Sequence, residues 1–335
     1  MPVRDSALRP PRGVLIVLAG LGLAAVGALA LALAVGSVPV DPAGILRGLA
    51  GDTDTAAAIV RDLRLPRALA AFAAGGLLAL AGAMMQVLLR NPLADPYVLG
   101  ISGGAAVGAL AAMLAGYTAV AAPAAFAGAL VSTLLVFGLA RRGGDHAAWT
   151  ATRLLLTGVV VAAGWGALIA LMLTLAPDAQ VKGMLFWLIG DLSAASHVWP
   201  ALLTLGVALA VALPFGRDLN VLARGEDSAI ALGVAVPRVT LLLYALAAVT
   251  TAAAVTTAGS VGFVGLVVPH ALRLVLGNDQ RVLLPASALA GGTLLTLADT
   301  LARSVAAPVQ LPVGVITALI GVPVFLYLLG RAGRP

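Results

Sequence analysis

Long apolar stretches alternate with short polar or charged stretches along the whole chain. A helix needs about 20 mostly apolar residues to cross the hydrocarbon core of a bilayer. The first stretch, residues 13–35, meets this length and is too long for the apolar part of a cleaved signal peptide, which has about 7–15 residues. The pattern therefore predicts a retained first transmembrane helix, entered from the cytoplasmic side.

Nine further stretches have the length and composition of spans, which predicts ten transmembrane helices in an all-α polytopic membrane fold. They cover residues 66–89, 97–115, 119–140, 153–175, 199–215, 238–258, 262–276, 282–301 and 312–329. The polar stretch 36–65 is long enough for a short surface helix. Residues 181–197 are apolar but contain Gly190, Asp191 and Ser193, which predicts a helix that lies at the outer surface or dips into the membrane.

The composition supports a membrane protein. Of 335 residues, 61% are hydrophobic and 10% are charged, whereas a soluble domain has about 45–50% apolar and about 25% charged residues. So few charges could not cover that much apolar surface in water, which excludes a soluble enzyme, a nucleic-acid-binding protein and a disordered tail. We predict a single transmembrane domain over residues 1–335. The chain has no cysteine, and its three histidines are too far apart for a short zinc motif.

The distribution of positive charge orients the predicted helices. With both termini in the cytoplasm, fourteen of the 20 lysines and arginines fall on the cytoplasmic side. The six that fall outside are Arg47, Arg61, Arg64, Arg67, Lys182 and Arg303. Cytoplasmic loops of membrane proteins carry an excess of Lys and Arg, so this topology agrees with the general bias, and an eleventh span would spoil it.

Two pairs of short matches predict an internal repeat. The tripeptide Leu-Pro-Arg at 65–67 opens the second predicted span, and Val-Pro-Arg at 236–238 opens the seventh. Matches that begin at Pro123 and Pro285 open the fourth span and run into the ninth. The spans of each pair cross in opposite directions, as in transporters with inverted repeats and a pathway between them. Chance similarity in a chain rich in Ala, Gly and Pro is the alternative.

The apolar spans offer packing but little chemistry. Gly100, Gly104 and Gly108 recur every fourth residue, a spacing that lets helix backbones approach closely. The phosphate-binding motif G-x-x-x-x-G-K-[ST] is absent, so we expect no ATP binding of that kind and no enzyme activity. No predicted span has a carboxylate at its centre. Asp299 comes nearest, at the outer end of the ninth span, and its spacing from Arg303 predicts an ion pair.

Three groups of motifs stand out along the chain. The first group is Arg64-Leu-Pro-Arg67, Gly82-Ala-Met-Met-Gln86, Asn91-Pro-Leu-Ala94-Asp-Pro and Leu99-Gly-Ile-Ser-Gly103. The second and most specific is Gly259-Ser-Val-Gly-Phe-Val-Gly-Leu-Val-Val-Pro-His-Ala-Leu-Arg273. The third is Leu297-Ala-Asp299, Arg303, Leu311-Pro-Val-Gly-Val-Ile-Thr317 and Gly321-Val-Pro-Val-Phe325. Together these motifs resemble the permease subunits of type II ABC importers, the family that imports iron–siderophore complexes, haem and vitamin B12. The resemblance covers residues 14–330.

The resemblance implies how such a chain works. Each permease has ten helices, and two copies pair with two separate ABC ATPase subunits that hold Mg-ATP. This chain would need no cofactor of its own and would hold no metal. The substrate would arrive on a periplasmic substrate-binding protein and enter a cavity at the homodimer interface. The implied location is the cell inner (cytoplasmic) membrane, with many passes and no nucleic-acid partner.

The resemblance also implies a docking role for three outer arginines, Arg64, Arg67 and Arg303. They match external arginines that grip acidic residues on the lobes of the binding protein. An arginine fork suits a carboxylate, and these arginines stand on the side that should be poor in positive charge. We expect them at the membrane edge, outside the core. The alternatives are anchoring to lipid headgroups and, for Arg303, the pair with Asp299.

The cytoplasmic side contains the implied coupling and gate residues. The loop 216–237 resembles the family's pair of short coupling helices, which sit in a cleft of the ATPase; a solvated loop is the alternative. Its matching residues are Leu222, Gly225, Glu226, Asp227 and Gly233. The gate candidates are Asn91 and Leu93, together with Thr150 and Thr152 in the loop before the fifth span. For Asn91 the alternative is a simple helix stop before Pro92.

These observations together predict the permease of a binding-protein-dependent ABC importer for a large metal chelate. A ferric siderophore or haem is the expected cargo, and cobalamin is the alternative. The pathway should be apolar and weakly selective, because the sequence offers no charged ligand cluster. The rival from another class is a secondary transporter driven by an ion gradient, and the lack of central carboxylates weighs against it.

Overall fold

The computed structural model describes residues 12–36, 38–52, 54–141, 151–193, 195 and 198–332, and all regular structure in them is helical. Eight helices are long and apolar enough to cross a membrane. Two shorter apolar helices, Ile101–Leu114 and Val264–Leu276, accompany them. These ten helices coincide with the ten predicted spans, so the predicted all-α membrane fold is confirmed.

The helices follow one another in simple order. The first half contains α1 (Arg12–Ala34), α2 (Pro42–Ala50), α3 (Thr55–Ala58), α4 (Leu65–Leu88), α5 (Ile101–Leu114), α6 (Ala121–Arg141), α7 (Ala151–Leu175) and α8 (Asp178–Ile189). The second half contains α9 (Trp199–Ala212), α10 (Gly216–Leu222), α11 (Glu226–Ala231), α12 (Val236–Ala258), α13 (Val264–Leu276), α14 (Gln280–Ser304) and α15 (Val313–Ala332). A π-helical turn, Ile59–Arg64, joins α3 to α4, and a 3-10 turn, Pro96–Leu99, precedes α5.

Polar side chains set the ends of the short helices in the stretch 36–65. The Asp41 carboxylate accepts a hydrogen bond from the backbone N–H of Gly44 at 2.9 Å and caps α2. Asp54 caps α3 in the same way through Ala57 at 2.6 Å. Such caps satisfy N–H groups that have no partner within the helix. The predicted surface helix in this stretch is therefore present as α2 and α3.

The core is built around α4, which is almost entirely buried, and its main partner is α14. Glycines allow the two backbones to touch. A Cβ atom placed on Gly75 would lie 2.2 Å from the carbonyl oxygen of Gly291, and one placed on Gly291 would lie 2.4 Å from that of Gly75. No side chain fits in this space, so the α4–α14 contact requires glycine on both helices.

A second close contact joins α5 to α6. A Cβ on Gly104 would lie 2.4 Å from the carbonyl oxygen of Gly128, and one on Gly108 would lie 2.2 Å from that of Ala124. The predicted small-residue packing is therefore confirmed for Gly104 and Gly108. Gly100 differs, because it ends the 3-10 turn at φ 69° and supplies a left-handed residue to that turn.

Two sets of four helices share a pattern in which one long helix is followed by a short helix and then by two long helices. Helices α4 to α7 have 24, 14, 21 and 25 residues, and α12 to α15 have 23, 13, 25 and 20. Both α4 and α12 carry proline in their first two positions, at Pro66 and Pro237. The chain segments at the N-termini of the two short helices meet, since the Ser102 and Ser260 hydroxyl oxygens are 2.8 Å apart. This arrangement supports the predicted repeat.

The segment predicted to lie at the membrane surface forms α8 and leaves the helix at Gly190, where φ is 95°. It packs against the start of α15, because a Cβ on Gly314 would lie 1.7 Å from the Ile189 carbonyl oxygen. Helices α1 and α7 are the most exposed spans. Their open faces carry large apolar side chains, among them Leu23, Val26, Val160 and Leu171.

Candidate functional site

The two ends of α4 define the two ends of the bundle. Arg67 lies in the first turn of α4, and Arg90 follows its last turn. We call these the Arg67 end and the Arg90 end. Helix α14 runs the opposite way, because its first residues share a cavity with Arg90 and its Asp299 contacts Arg67.

A buried cluster of charges joins α4 and α14 at the Arg67 end. The Arg67 guanidinium donates hydrogen bonds to both carboxylate oxygens of Asp299, at 2.9 to 3.1 Å, and a further one to the Gln310 side-chain oxygen at 2.7 Å. Arg303 Nε lies 3.2 Å from the second Asp299 oxygen. The predicted pair of Asp299 with Arg303 is therefore present, but Arg67, 232 residues away in sequence, is the closer partner.

Two arginines hold the C-terminal end of α1. The Arg64 guanidinium donates to the carbonyl oxygens of Leu33 at 2.6 Å and Ala34 at 3.0 Å, and also to that of Val38. Arg303 donates to the Ala32 carbonyl oxygen at 3.1 Å. The last carbonyls of a helix lack partners within the helix and carry partial negative charge, so cations are stabilising there.

The expectation that these arginines lie outside the core is wrong. The exposed fraction is 4% for Arg64, 9% for Arg67 and 6% for Arg303. The physical reason is that Asp299 and the end of α1 supply the acceptors that a buried guanidinium needs. Their implied role in docking a binding protein stays a prediction, and they also hold three helices together.

At the Arg90 end, the loop 216–237 contains two short helices, α10 and α11, as the resemblance implies. Leu222 ends α10 and is 5% exposed. Gly225 and Gly233 flank α11 with φ of 134° and 78°, conformations that favour glycine. Glu226 and Asp227 occupy the first turn of α11, where negative side chains are stabilising. The coupling role of these five residues stays a prediction.

Asn220 fastens α10 to the start of α14, and sequence reasoning missed it. Its side-chain amide donates to Asp279 Oδ1 at 2.9 Å, and its side-chain oxygen accepts from the Gln280 backbone N–H at 2.7 Å. Asp279 also accepts from the Arg281 guanidinium at 2.9 Å. These hydrogen bonds lower the pKa of Asp279 to about 2, and the one from Arg281 has the largest effect. The carboxylate therefore stays charged at physiological pH. We call Asn220, Asp279 and Gln280 the α10–α14 junction.

Two of the gate candidates, Asn91 and Leu93, lie at the Arg90 end in exposed positions. The Asn91 side-chain oxygen accepts from the backbone N–H of Leu93 at 2.9 Å, which forms a tight turn after α4. This turn agrees with a helix stop and leaves a gating role untested. Thr152 is exposed in the first turn of α7. Thr150 lies outside the described residues.

Comparison with known proteins identifies relatives over most of the chain. The model of the FecCD transport family matches residues 25–331. The cobalamin import system permease protein BtuC of Halobacterium salinarum is 48% identical over 283 residues, which cover 83% of this chain and 75% of that protein. The hemin transport system permease protein HmuU of Yersinia pestis is 42% identical over 286 residues, covering 81% and 82%.

A solved structure shares the fold. It is described as an inward-facing conformation of a metal-chelate type ABC transporter, and it superposes with a TM-score of 0.82. The sequences are 28% identical, and the superposition covers 94% of this chain and 99% of that one.

Proposed function

The chain belongs to the FecCD transport family and is the permease of an ABC importer, and from this premise we propose that it carries a large metal chelate into the cytoplasm. The observation that carries the proposal is the family match across residues 25–331, which includes the short helices α10 and α11 and both ends of α4. The names of the relatives support the chemical class of cargo, since one imports cobalamin and another hemin.

Within this class we place a macrocyclic chelate before a ferric siderophore. The relative at 48% identity is a cobalamin permease and the one at 42% is a hemin permease. Cobalamin is therefore at least as well supported as the ferric siderophore or haem that the sequence favoured. The apolar pathway that we expect from the sequence suits haem, which presents a broad hydrophobic ring face.

The importer needs partners, which we infer from the family. They are a second copy of this chain, two ABC ATPase subunits and a substrate-binding protein, assembled in the cytoplasmic membrane. In this assembly α10 and α11 contact the ATPase, and the Arg90 end faces the cytoplasm. The asymmetry of charge supports this orientation, because the Arg90 end contains most of the arginines that the structure describes.

Docking of the binding protein at the Arg67 end is part of the proposal. Arg67 and Arg303 share one carboxylate there and Arg64 binds backbone carbonyls of α1, so this cluster has three positive side chains and one negative one, which acidic residues of a partner would complement. Because the arginines are buried, the sharper test mutates the binding protein and leaves the permease unchanged. Reversing acidic residues on the lobes of the binding protein should weaken docking, and more so at low salt. Unchanged docking would refute the assignment.

Reconstitution tests the function directly. The permease is placed in proteoliposomes with its ATPase, and uptake of cobalamin, hemin and a ferric siderophore is measured with each bound to the binding protein. We expect ATP-dependent uptake of one macrocycle and none without the ATPase. Uptake that needs no ATPase and stops when an ionophore collapses the ion gradient would refute the importer and support a secondary transporter.

A further inference from the structure

A polar cavity opens at the Arg90 end beside α10. Its volume is about 640 Å³, within the range of about 300–1,000 Å³ for small-molecule sites. Four arginines reach it from four parts of the chain: Arg90 after α4, Arg224 after α10, Arg273 in α13 and Arg281 in α14. Among the residues that line it, Asp279 is the single carboxylate.

The charges around this cavity are not balanced. Arg281 pairs with Asp279 at 2.9 Å, so the charge of this carboxylate is already balanced. Arg90, Arg224 and Arg273 make no ion pair or side-chain hydrogen bond with any residue that the structure describes. Three unpaired guanidinium groups around one space repel one another and attract an anion with several oxygens.

The wall of the cavity also contains buried polar atoms without partners. They are the side-chain oxygens of Gln86 and Gln280 and the Nε of Arg273. Gln86 is 2% exposed and Gln280 is 1% exposed. Their amide nitrogens are already engaged, with the carbonyl oxygens of Leu266 at 3.2 Å and Asn278 at 3.3 Å. Buried polar atoms without partners are rare, because each one lowers the stability of the fold. We therefore expect both oxygens to accept a hydrogen bond from a donor outside the chain.

We propose that this cavity binds a phosphate group in its monoprotonated form, as inorganic phosphate or as a small phosphate monoester. The charged phosphate oxygens accept hydrogen bonds from the unpaired arginines, and the P–O–H group donates to a glutamine oxygen. The volume leaves room for water or for the organic part of an ester. A sulfate ion has a similar shape and charge but no proton to donate at neutral pH, so the cavity should prefer phosphate.

The position of the cavity gives such binding a consequence. The wall includes Pro92 from the turn after α4 and Asn220 from α10, so a bound phosphate would bridge the gate candidates and the coupling helix. Arg224 approaches from the α10 side, and Arg273 from the buried side. The proposal uses only this chain's residues and holds whether or not the cargo is a metal chelate.

Calorimetric titration of the purified full chain in detergent tests the proposal. The probes are inorganic phosphate, glycerol 3-phosphate and sulfate at equal ionic strength and pH 7. We expect one of the two phosphates to bind about fivefold or more tightly than sulfate, because an unmade hydrogen bond to a buried oxygen costs about that much. Stronger binding of glycerol 3-phosphate assigns an ester, and otherwise inorganic phosphate is the ligand.

Variants locate the binding. Arg224→Gln and Arg273→Gln should each weaken phosphate binding about tenfold, as expected for a lost charge-assisted hydrogen bond. Arg238→Gln is the matched control, since Arg238 is an exposed arginine in the first turn of α12 and does not line the cavity. Arg224 is exposed, so its variant should fold normally even if the Arg273 variant does not.

Three results would overturn the proposal. The first is equal affinity for sulfate and both phosphates, and the second is phosphate binding that Arg224→Gln leaves unchanged. The third comes from repeating the titration on the permease assembled with its ATPase. Loss of phosphate binding there would mean that a segment of the ATPase fills the cavity, and retention of binding supports the free anion.

Discussion

Replacing Asp299 with asparagine should lower the free energy of unfolding far more than replacing any single exposed charged residue. Asp299 is 1% exposed and is the carboxylate that both Arg67 and Arg303 contact. Asparagine has almost the same shape, so packing is preserved while the negative charge is lost. Removing one partner of a buried ion pair costs about 3–5 kcal/mol, because it leaves the other charge buried without compensation. Here two guanidinium groups are left, so we expect the upper part of that range.

The assay is reversible unfolding in mixed detergent micelles by increasing SDS, followed through tryptophan fluorescence. Asp62→Asn is the matched control, since Asp62 pairs with Arg61 at the same end but both side chains are about half exposed. That control should unfold like the wild type. Asp299→Asn combined with Arg67→Gln should be less destabilised than the sum of the two single variants, because the residues share one network. A loss below about 1 kcal/mol for Asp299→Asn, the range of exposed pairs, would refute the argument.

Three further predictions follow from other parts of the chain. Asn220→Ala should remove the side-chain link of α10 to Asp279 and leave ATP hydrolysis by the assembled importer at least half intact while transport falls; equal loss of both would contradict a coupling role. Cysteine labels at Gly225 should react from the cytoplasm and labels at Asp52 from outside; reaction of both on one side would overturn the topology. Gly75→Leu should abolish folded protein in detergent, because even a Cβ at this position would lie 2.2 Å from a backbone oxygen; normal yield would contradict the packing.

Hydropathy alone predicted the helices well, because a helix that crosses the membrane must be mostly apolar over about 20 residues. Each predicted span coincides with a helix, and most ends agree within two or three residues, as for residues 66–89 and α4, Leu65–Leu88. The short span was also anticipated, since 262–276 became α13, Val264–Leu276. What remained open was how the helices pack around α4, because apolar residues are suitable for lipid and for protein neighbours alike.

The charged cluster shows where sequence reasoning failed. The spacing of Asp299 and Arg303 on one helix predicted their pair, because neighbours four apart face the same side. The contact of Asp299 with Arg67 joins residues far apart in sequence, and no local pattern reports it. One signal was present: Asp299 is the carboxylate nearest to a span interior, and a buried carboxylate requires a cation. That reasoning would have placed Asp299 and Arg303 in the core, but it could not have identified Arg67.

Helix α14 is fixed at three points along its length. Its start is tied to α10 by Asn220, its middle touches α4 at Gly291, and Asp299 near its end is clasped by Arg67. With 25 residues it is about 37 Å long, so it acts as a lever that reaches from one face of the membrane to the other. Rotation of α10 must either break the hydrogen bonds of Asn220 or tilt this lever. Because α4 touches α14 at Gly291 and binds it through Arg67 and Asp299, α4 would tilt with it, and torque applied at one face would be felt at the opposite face.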